Sequence, residues 1–244
     1  VSGIAVALDH VGIVVRDLAA ARAAWTEAGF APSPSGRIML GQGYIDLLAQ
    51  DPTKPSATLT AMLAQGEGAH VLSLRVADAE AAAVRLRQAG FDAHLVENAR
   101  QGDAGGTARF RRVPLTDALP RLQLIEHRTP EIVWHPTLLP QPNGAAALTE
   151  VVVVAEPPAV FAARLSRLAG CGLSPTDGGF LLPLDGGAVR VLSPDAFHRL
   201  WQAAAPPGPS PRIAAVVLRG PTSAHRQFPG LDLRIIPPDG TAPG

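Results

Sequence analysis

His10 and Asp46 are the side chains whose chemistry stands out, because each interrupts a short apolar run that reads as a β-strand. Side chains alternate between the two faces of a strand, so each face can be read from the run itself. In residues 8–15, Val11, Ile13 and Val15 make one apolar face and leave His10, Gly12 and Val14 on the other. In residues 44–49, Ile45 and Leu47 take the apolar face, and Tyr44, Asp46 and Leu48 the opposite one. An imidazole and a carboxylate on one surface suit a divalent Zn, Mn, Ni or Fe. Each also has a plainer reading: a strand histidine bonded to a neighbour, and a carboxylate paired with an arginine.

A second group lies further along. In residues 121–126, Leu122 and Leu124 form the apolar face, which leaves Gln123, Ile125 and His127 on the side that His10 and Asp46 occupy. Gln123 is a weak third ligand. Glu126 is the nearby carboxylate that could act as general base, and it reaches that side only if the strand is bulged. Arg75 shares a face with Val71 and Ser73 and could hold a substrate carboxylate through its fork of donors, with Tyr44 and His127 as further substrate contacts. Trp134 and His135 read as an apolar latch with a polar neighbour. The glycine-rich residues 102–106 lack the lysine and helix of a phosphate loop and read as a hairpin turn.

The elements that must position these residues repeat. Residues 8–15 are followed by Asp17, an alanine-rich helical stretch, and a stop at Ala28-Gly29-Phe30. The same order returns at residues 71–76, with Asp78 as N-cap and the stop Ala89-Gly90-Phe91, and again at 149–154, with proline opening a helix that ends at Gly170. A fourth copy begins at residues 213–218 and keeps a short helical stretch around 223–227. Short strand candidates follow each helix. Helices are expected at about 17–29, 78–90 and 157–170, and residues 56–64 and 194–204 read as bridging helices at corresponding places. The proline-punctuated segment 129–145 has no period and reads as a linker. The expected organisation is therefore a first pair of modules in 1–128 (1–50 and 69–128), the linker 129–145, and a shorter second pair in 146–244 (147–193 and 211–238).

Composition limits the partners. The 244 residues carry 21 Lys+Arg and 21 Asp+Glu, so no basic field exists to attract a nucleic-acid backbone or an anionic membrane. The apolar runs are too short to cross a bilayer, no signal peptide is read at the N-terminus, and the single cysteine, Cys171, suits a reducing compartment. The expectation is a cytoplasmic protein whose partners are a small-molecule ligand and, as an open alternative, a second copy of itself.

Three stretches carry a family resemblance. LDHVGIVVRDLAAARAAWTEAGF (residues 8–30) resembles the opening strand and helix of the vicinal-oxygen-chelate superfamily, and GYIDLLAQ (43–50) resembles its closing strand. IEHRTPEIVWHPTLLPQPNGAAALTEVVV (125–153) is similar to the linker of the glyoxalase-like subgroup. The resemblance implies an α+β fold of paired βαβββ modules whose curved half-barrel sheets enclose a cavity. It also implies metal ligands on the first and last strands of each module: His10, Asp46 and Gln123, with the module-two counterpart of His10 at Val71, which cannot ligate. The activity it implies is metal-assisted isomerase or lyase chemistry on a small oxygenated molecule, through an enediolate-type anion, with Glu126 as base. A divalent metal and no metal stand as equal alternatives. The other function class is a metal-free binding or sequestration protein, which the 5% aromatic content would supply poorly with stacking groups.

Overall fold

The computed structural model describes residues 5–115 and 120–239. The first half contains β1 (Ala7–Val14), α1 (Leu18–Glu27), β2 (Arg37–Met39), β3 (Tyr44–Leu48), α2 (Ala57–Leu63), β4 (Gly68–Arg75), α3 (Ala79–Gln88), β5 (Val96–Gln101), β6 (Thr107–Leu115) and β7 (Arg121–His127). A linker with the short helix α4 (Pro130–Val133) leads to β8 (Ala147–Val154), α5 (Pro158–Ala169), β9 (Ser174–Thr176), β10 (Gly179–Leu184) and β11 (Gly187–Leu192). The chain then runs through α6 (Pro194–Trp201), β12 (Arg212–Arg219), β13 (Ala224–Phe228) and β14 (Leu231–Ile236). The local signals for the helices act as expected: the side chains of Asp17 and Asp78 accept from Ala20 N and Ala81 N, and Gly170 ends α5 at φ 68°.

Two seven-stranded sheets result, in the orders β2-β3-β1-β4-β7-β6-β5 and β13-β14-β12-β8-β11-β10-β9. In each, two long strands pair antiparallel at the centre, β1 with β4 and β8 with β12, and each takes a parallel strand on its other side. The first sheet curls into a half-barrel. One side of each sheet, with α1, α3 and α5, contributes to a single apolar core that includes Leu8, Val11, Leu72, Leu86, Val151, Leu165 and Val216. The ring of Trp25 on α1 stacks on Phe228 of β13 at 4.1 Å, so the core runs between the two halves.

The opposite, concave faces are treated differently. In the second sheet, α6 lays Phe197 and Trp201 against Val152, Val154, Leu192, Ala215 and Val217 and fills the concavity. In the first sheet, α2 covers only one end, where Met62 meets Val14 and Val71. The linker covers the other end, with Val133 and Trp134 on Tyr44, Phe110 and Ile125. Between them a cavity stays open.

Two expectations are corrected. The stretch expected as a short helix around 223–227 is β13, because a few residues cannot offset the cost of helix nucleation while the edge of β14 offers ready backbone partners. The strand expected over 93–97 lies at Val96–Gln101, where the turn at Gly102–Gly106 lets it pair with β6.

Candidate functional site

The first sheet departs from strict alternation at two places, and one of them builds the site. Leu8 pairs with Leu74 but His10 pairs with Ser73, so Asp9 is an extra residue on β1. Leu8 and Val11 both enter the helix-side core, and the two residues between them, Asp9 and His10, therefore share the concave face. Asp9 is fully buried. Its Oδ1 lies 2.6 Å from His10 Nδ1, and its Oδ2 lies 2.8 Å from His127 Nε2 on β7. Burial alone would raise the Asp9 pKa, but His127 and His10 outweigh it and hold the carboxyl well below the usual range. It is an anion in the core.

The remaining bonds set the tautomer of His10. Arg112 Nη1 donates to Gln123 Oε1 at 3.2 Å, and Gln123 Nε2 donates to Ser73 Oγ at 2.6 Å. The Ser73 hydroxyl proton is then free to point at His10 Nε2, 2.8 Å away, while His10 Nδ1–H points at Asp9. The Tyr44 ring stacks on His10 with centroids 4.5 Å apart. Burial, with the Asp9 and Asp46 charges added, pushes the Tyr44 phenol well above its ordinary value, so it stays protonated.

This polar floor faces a cavity of about 360 Å³, lined by residues that include His10, Tyr44, Asp46, Arg100, Arg112, Arg121 and Gln123. Gly12 keeps the floor low, since a Cβ there would stand 2.9 Å from Val71 Cβ and 3.0 Å from Leu48 Cδ1. Of the residues singled out from sequence, His10, Tyr44, Asp46 and Gln123 meet in this cavity.

Arg75, His127 and Glu126 do not line it. Arg75 sits 5.6 Å from the Trp134 ring centroid, under the linker. His127 is a backing residue for Asp9, enclosed by Phe110 and Trp134. Glu126 is on the other face, because β7 pairs with β4 in unbroken register and has no bulge to turn it inward. Its Oε2 accepts from Ala79 N at 3.0 Å at the start of α3, and its Oε1 accepts from Arg128. Glu126 is thus a helix cap and lies away from any cavity ligand. His70, on the bulge of β4, bonds the Gly66 carbonyl at 2.9 Å and does not line the cavity.

The donors present fit a divalent metal poorly. Both ring nitrogens of His10 are engaged, Asp46 Oδ1 lies 3.4 Å from Arg37 Nε, and Gln123 Oε1 already accepts from Arg112. Among the described residues no group of three or more His, Cys, Asp or Glu side chains could hold a metal ion. Four arginines line the cavity against the single carboxylate of Asp46, a field that repels a dication.

Paired antiparallel centres, parallel flanking strands and a concave face on each sheet are the architecture of the vicinal-oxygen-chelate superfamily. The chain belongs to the glyoxalase-like domain family, whose model matches residues 8–169. Among solved structures, a hypothetical protein from Staphylococcus aureus superposes with a TM-score of 0.72 at 12% identity, covering 94% of this chain and 98% of that one. A xylose isomerase-like TIM barrel/4-hydroxyphenylpyruvate dioxygenase fusion protein gives a TM-score of 0.58 at 16% identity, over 90% of this chain and 38% of its own. Methylmalonyl-CoA epimerase from Mycobacterium tuberculosis is 26% identical over 52% of this chain and 91% of its own, with a TM-score of 0.39. No curated protein matches. No helix among the described residues is long and apolar enough to cross a membrane.

The residues missed from sequence are Asp9, Ser73 as a bonding partner, and the arginines of β5, β6 and β7. Asp9 had one signal: a charged residue beside His10 inside an otherwise apolar strand.

Proposed function

We propose that this protein binds a small oxygenated molecule in the cavity of the first sheet and catalyses proton transfer on it, an isomerase- or lyase-type reaction with His10 as the proton carrier. The observation that carries the reading is the Asp9–His10 pair at 2.6 Å, a buried anion behind an imidazole that faces a ligand-sized cavity. When the ligand displaces the Ser73 hydroxyl proton from His10 Nε2, the freed lone pair takes a proton from a carbon next to a carbonyl of the ligand, and Asp9 stabilises the imidazolium that forms. The Ser73 hydroxyl turns to accept from Nε2–H instead of donating to it. Negative charge that develops on the ligand oxygen is met by the Tyr44 hydroxyl and the arginines of the wall. Return of the proton to a different carbon, or to the other face of the same one, completes an isomerisation; departure of a neighbouring group completes an elimination. The steps need no metal.

The test is deuterium uptake. A panel of small 2-oxo and 2-hydroxy acids is incubated in D2O with wild type and with His10→Gln, and carbon-bound protons are followed by NMR. Exchange that wild type catalyses and His10→Gln does not is the expected result. Ligands that bind and never exchange would leave a binding protein as the better account, and equal exchange by both proteins would remove His10 from the chemistry.

A further inference from the structure

The arginines of the cavity are more numerous than the proton transfer needs. Arg37 is matched: its Nη1 bonds Asp103 at 3.0 Å and its Nε faces Asp46. Among the described residues the other three make no hydrogen bond to a carboxylate, and only Arg100 feels the charges of Asp46 and Asp103. Arg112 bonds only the neutral side chains of Asn98 and Gln123. Arg100 lies over the Phe110 ring, 5.2 Å from its centroid, and donates to the Gln101 carbonyl. Arg121 has no bonding partner among the described residues, and its Nε is buried. These three sit on β5, β6 and β7, on the wall facing Arg37 and Asp46 of the first module.

All three are partly buried, and even partial withdrawal of a guanidinium from water carries a desolvation cost that a neighbouring anion offsets. Burial lowers the pKa of all three, with Arg37 a like-charged neighbour of Arg100 and Arg121 a like-charged neighbour of Arg112. The chain as a whole has 21 basic and 21 acidic residues, so this excess of positive charge is local to the cavity.

We infer that the ligand of this cavity is a small organic dianion, and that Arg112 and Arg121, with Arg100 at the rim, hold its two negative charges. A phosphate monoester and a dicarboxylate share that chemistry, since both offer paired oxygens to a guanidinium fork. The inference rests on the cavity being the ligand site, as proposed above, and names the class of molecule that fills it.

Calorimetric titration at low ionic strength compares glycerol phosphate, succinate, acetate and succinamide on wild type, Arg121→Met and Arg121→Lys. The dianions should bind at least about 10-fold tighter than acetate, succinamide should not compete, and added salt should weaken binding. Arg121→Met should lose about 10-fold or more for the dianions, and Arg121→Lys should fall between. A preference for glycerol phosphate over succinate assigns the phosphate source, and the reverse assigns the dicarboxylate. Thermal melts of the variants identify any that fail to fold, and Arg112→Gln then replaces a failed one. Equal affinity for dianion and monoanion, or unchanged binding by a folded Arg121→Met, overturns the inference. Proton exchange that depends on His10 but favours neutral or singly charged acids would overturn it while leaving the proton-transfer reading intact.

Discussion

Asp9 can be removed in two ways that the structure separates. Both carboxylate oxygens are used, by His10 at 2.6 Å and His127 at 2.8 Å, and the side chain is fully excluded from solvent. Asparagine keeps the shape but offers one acceptor and one donor. With its carbonyl on His10, its amide faces His127 Nε2, and the His127 proton must move to Nδ1, which is buried with no partner. One unpaired buried polar atom costs about 1–3 kcal/mol. Alanine removes both acceptors and leaves a buried ring N–H unpaired on each of two imidazoles, about 2–6 kcal/mol in all. At about 2–4 °C per kcal/mol for a chain of this size, Asp9→Asn should melt roughly 2–12 °C and Asp9→Ala roughly 4–24 °C below wild type. Urea unfolding between pH 3 and pH 7 is the assay. A carboxyl depressed on folding contributes stability that is fully present above its unfolded value of about 3.9 and is lost as the pH falls toward the folded value. Wild type should therefore lose stability below about pH 4, and Asp9→Asn should show a flatter acid limb. If Asp9→Ala unfolds within about 0.5 kcal/mol of wild type at pH 7, Asp9 is not the ionised anchor of the site.

Glu126→Ala should cost about 0.5–2 kcal/mol through loss of the cap on α3, with dianion affinity in the cavity unchanged. Urea unfolding and the same titrations check both halves of that statement. Phe197→Ala should cost about 3–5 kcal/mol, because a fully buried aromatic ring is removed from the filled face of the second sheet, while His10-dependent proton exchange persists in the folded fraction. Denaturation curves and NMR exchange rates measured side by side give the outcome.

Period-two reading located the concave face of the first sheet because β1, β3 and β7 each have one face in the helix-side core. That is enough to bring His10, Tyr44, Asp46 and Gln123 together. It fails at Asp9, since alternation assigns consecutive residues to opposite faces and a bulge is a property of the pairing, invisible in one strand alone. It fails differently at the arginines. Arg112 and Arg121 occupy concave positions, but a strand arginine is ordinarily a solvated edge group, and only the curl of the sheet turns these inward. The residues that the family resemblance implies as metal ligands, His10, Asp46 and Gln123, share that face, but the ring nitrogens of His10 and Oε1 of Gln123 already bond other side chains, which residue type and spacing do not reveal. The roles of α2 and α6 were equally hidden: both were legible as helices, but which one fills its concavity depends on Phe197 and Trp201 reaching the sheet.

The bulge has a counterpart. In the second sheet Leu148 pairs with Leu218 and Glu150 with Val217, so Thr149 is the extra residue where β1 has Asp9, and its hydroxyl merely bonds the Val217 carbonyl. The irregularity is thus a fixture of the backbone plan, and the acid is an option exercised in one of its two copies. Deleting a single residue between Leu8 and His10 would mend the ladder and keep every apolar side chain after it in place. The strand would be more regular and the imidazole would lose its counter-charge, so a change that improves the hydrogen-bond pattern of β1 would leave the cavity intact and chemically silent.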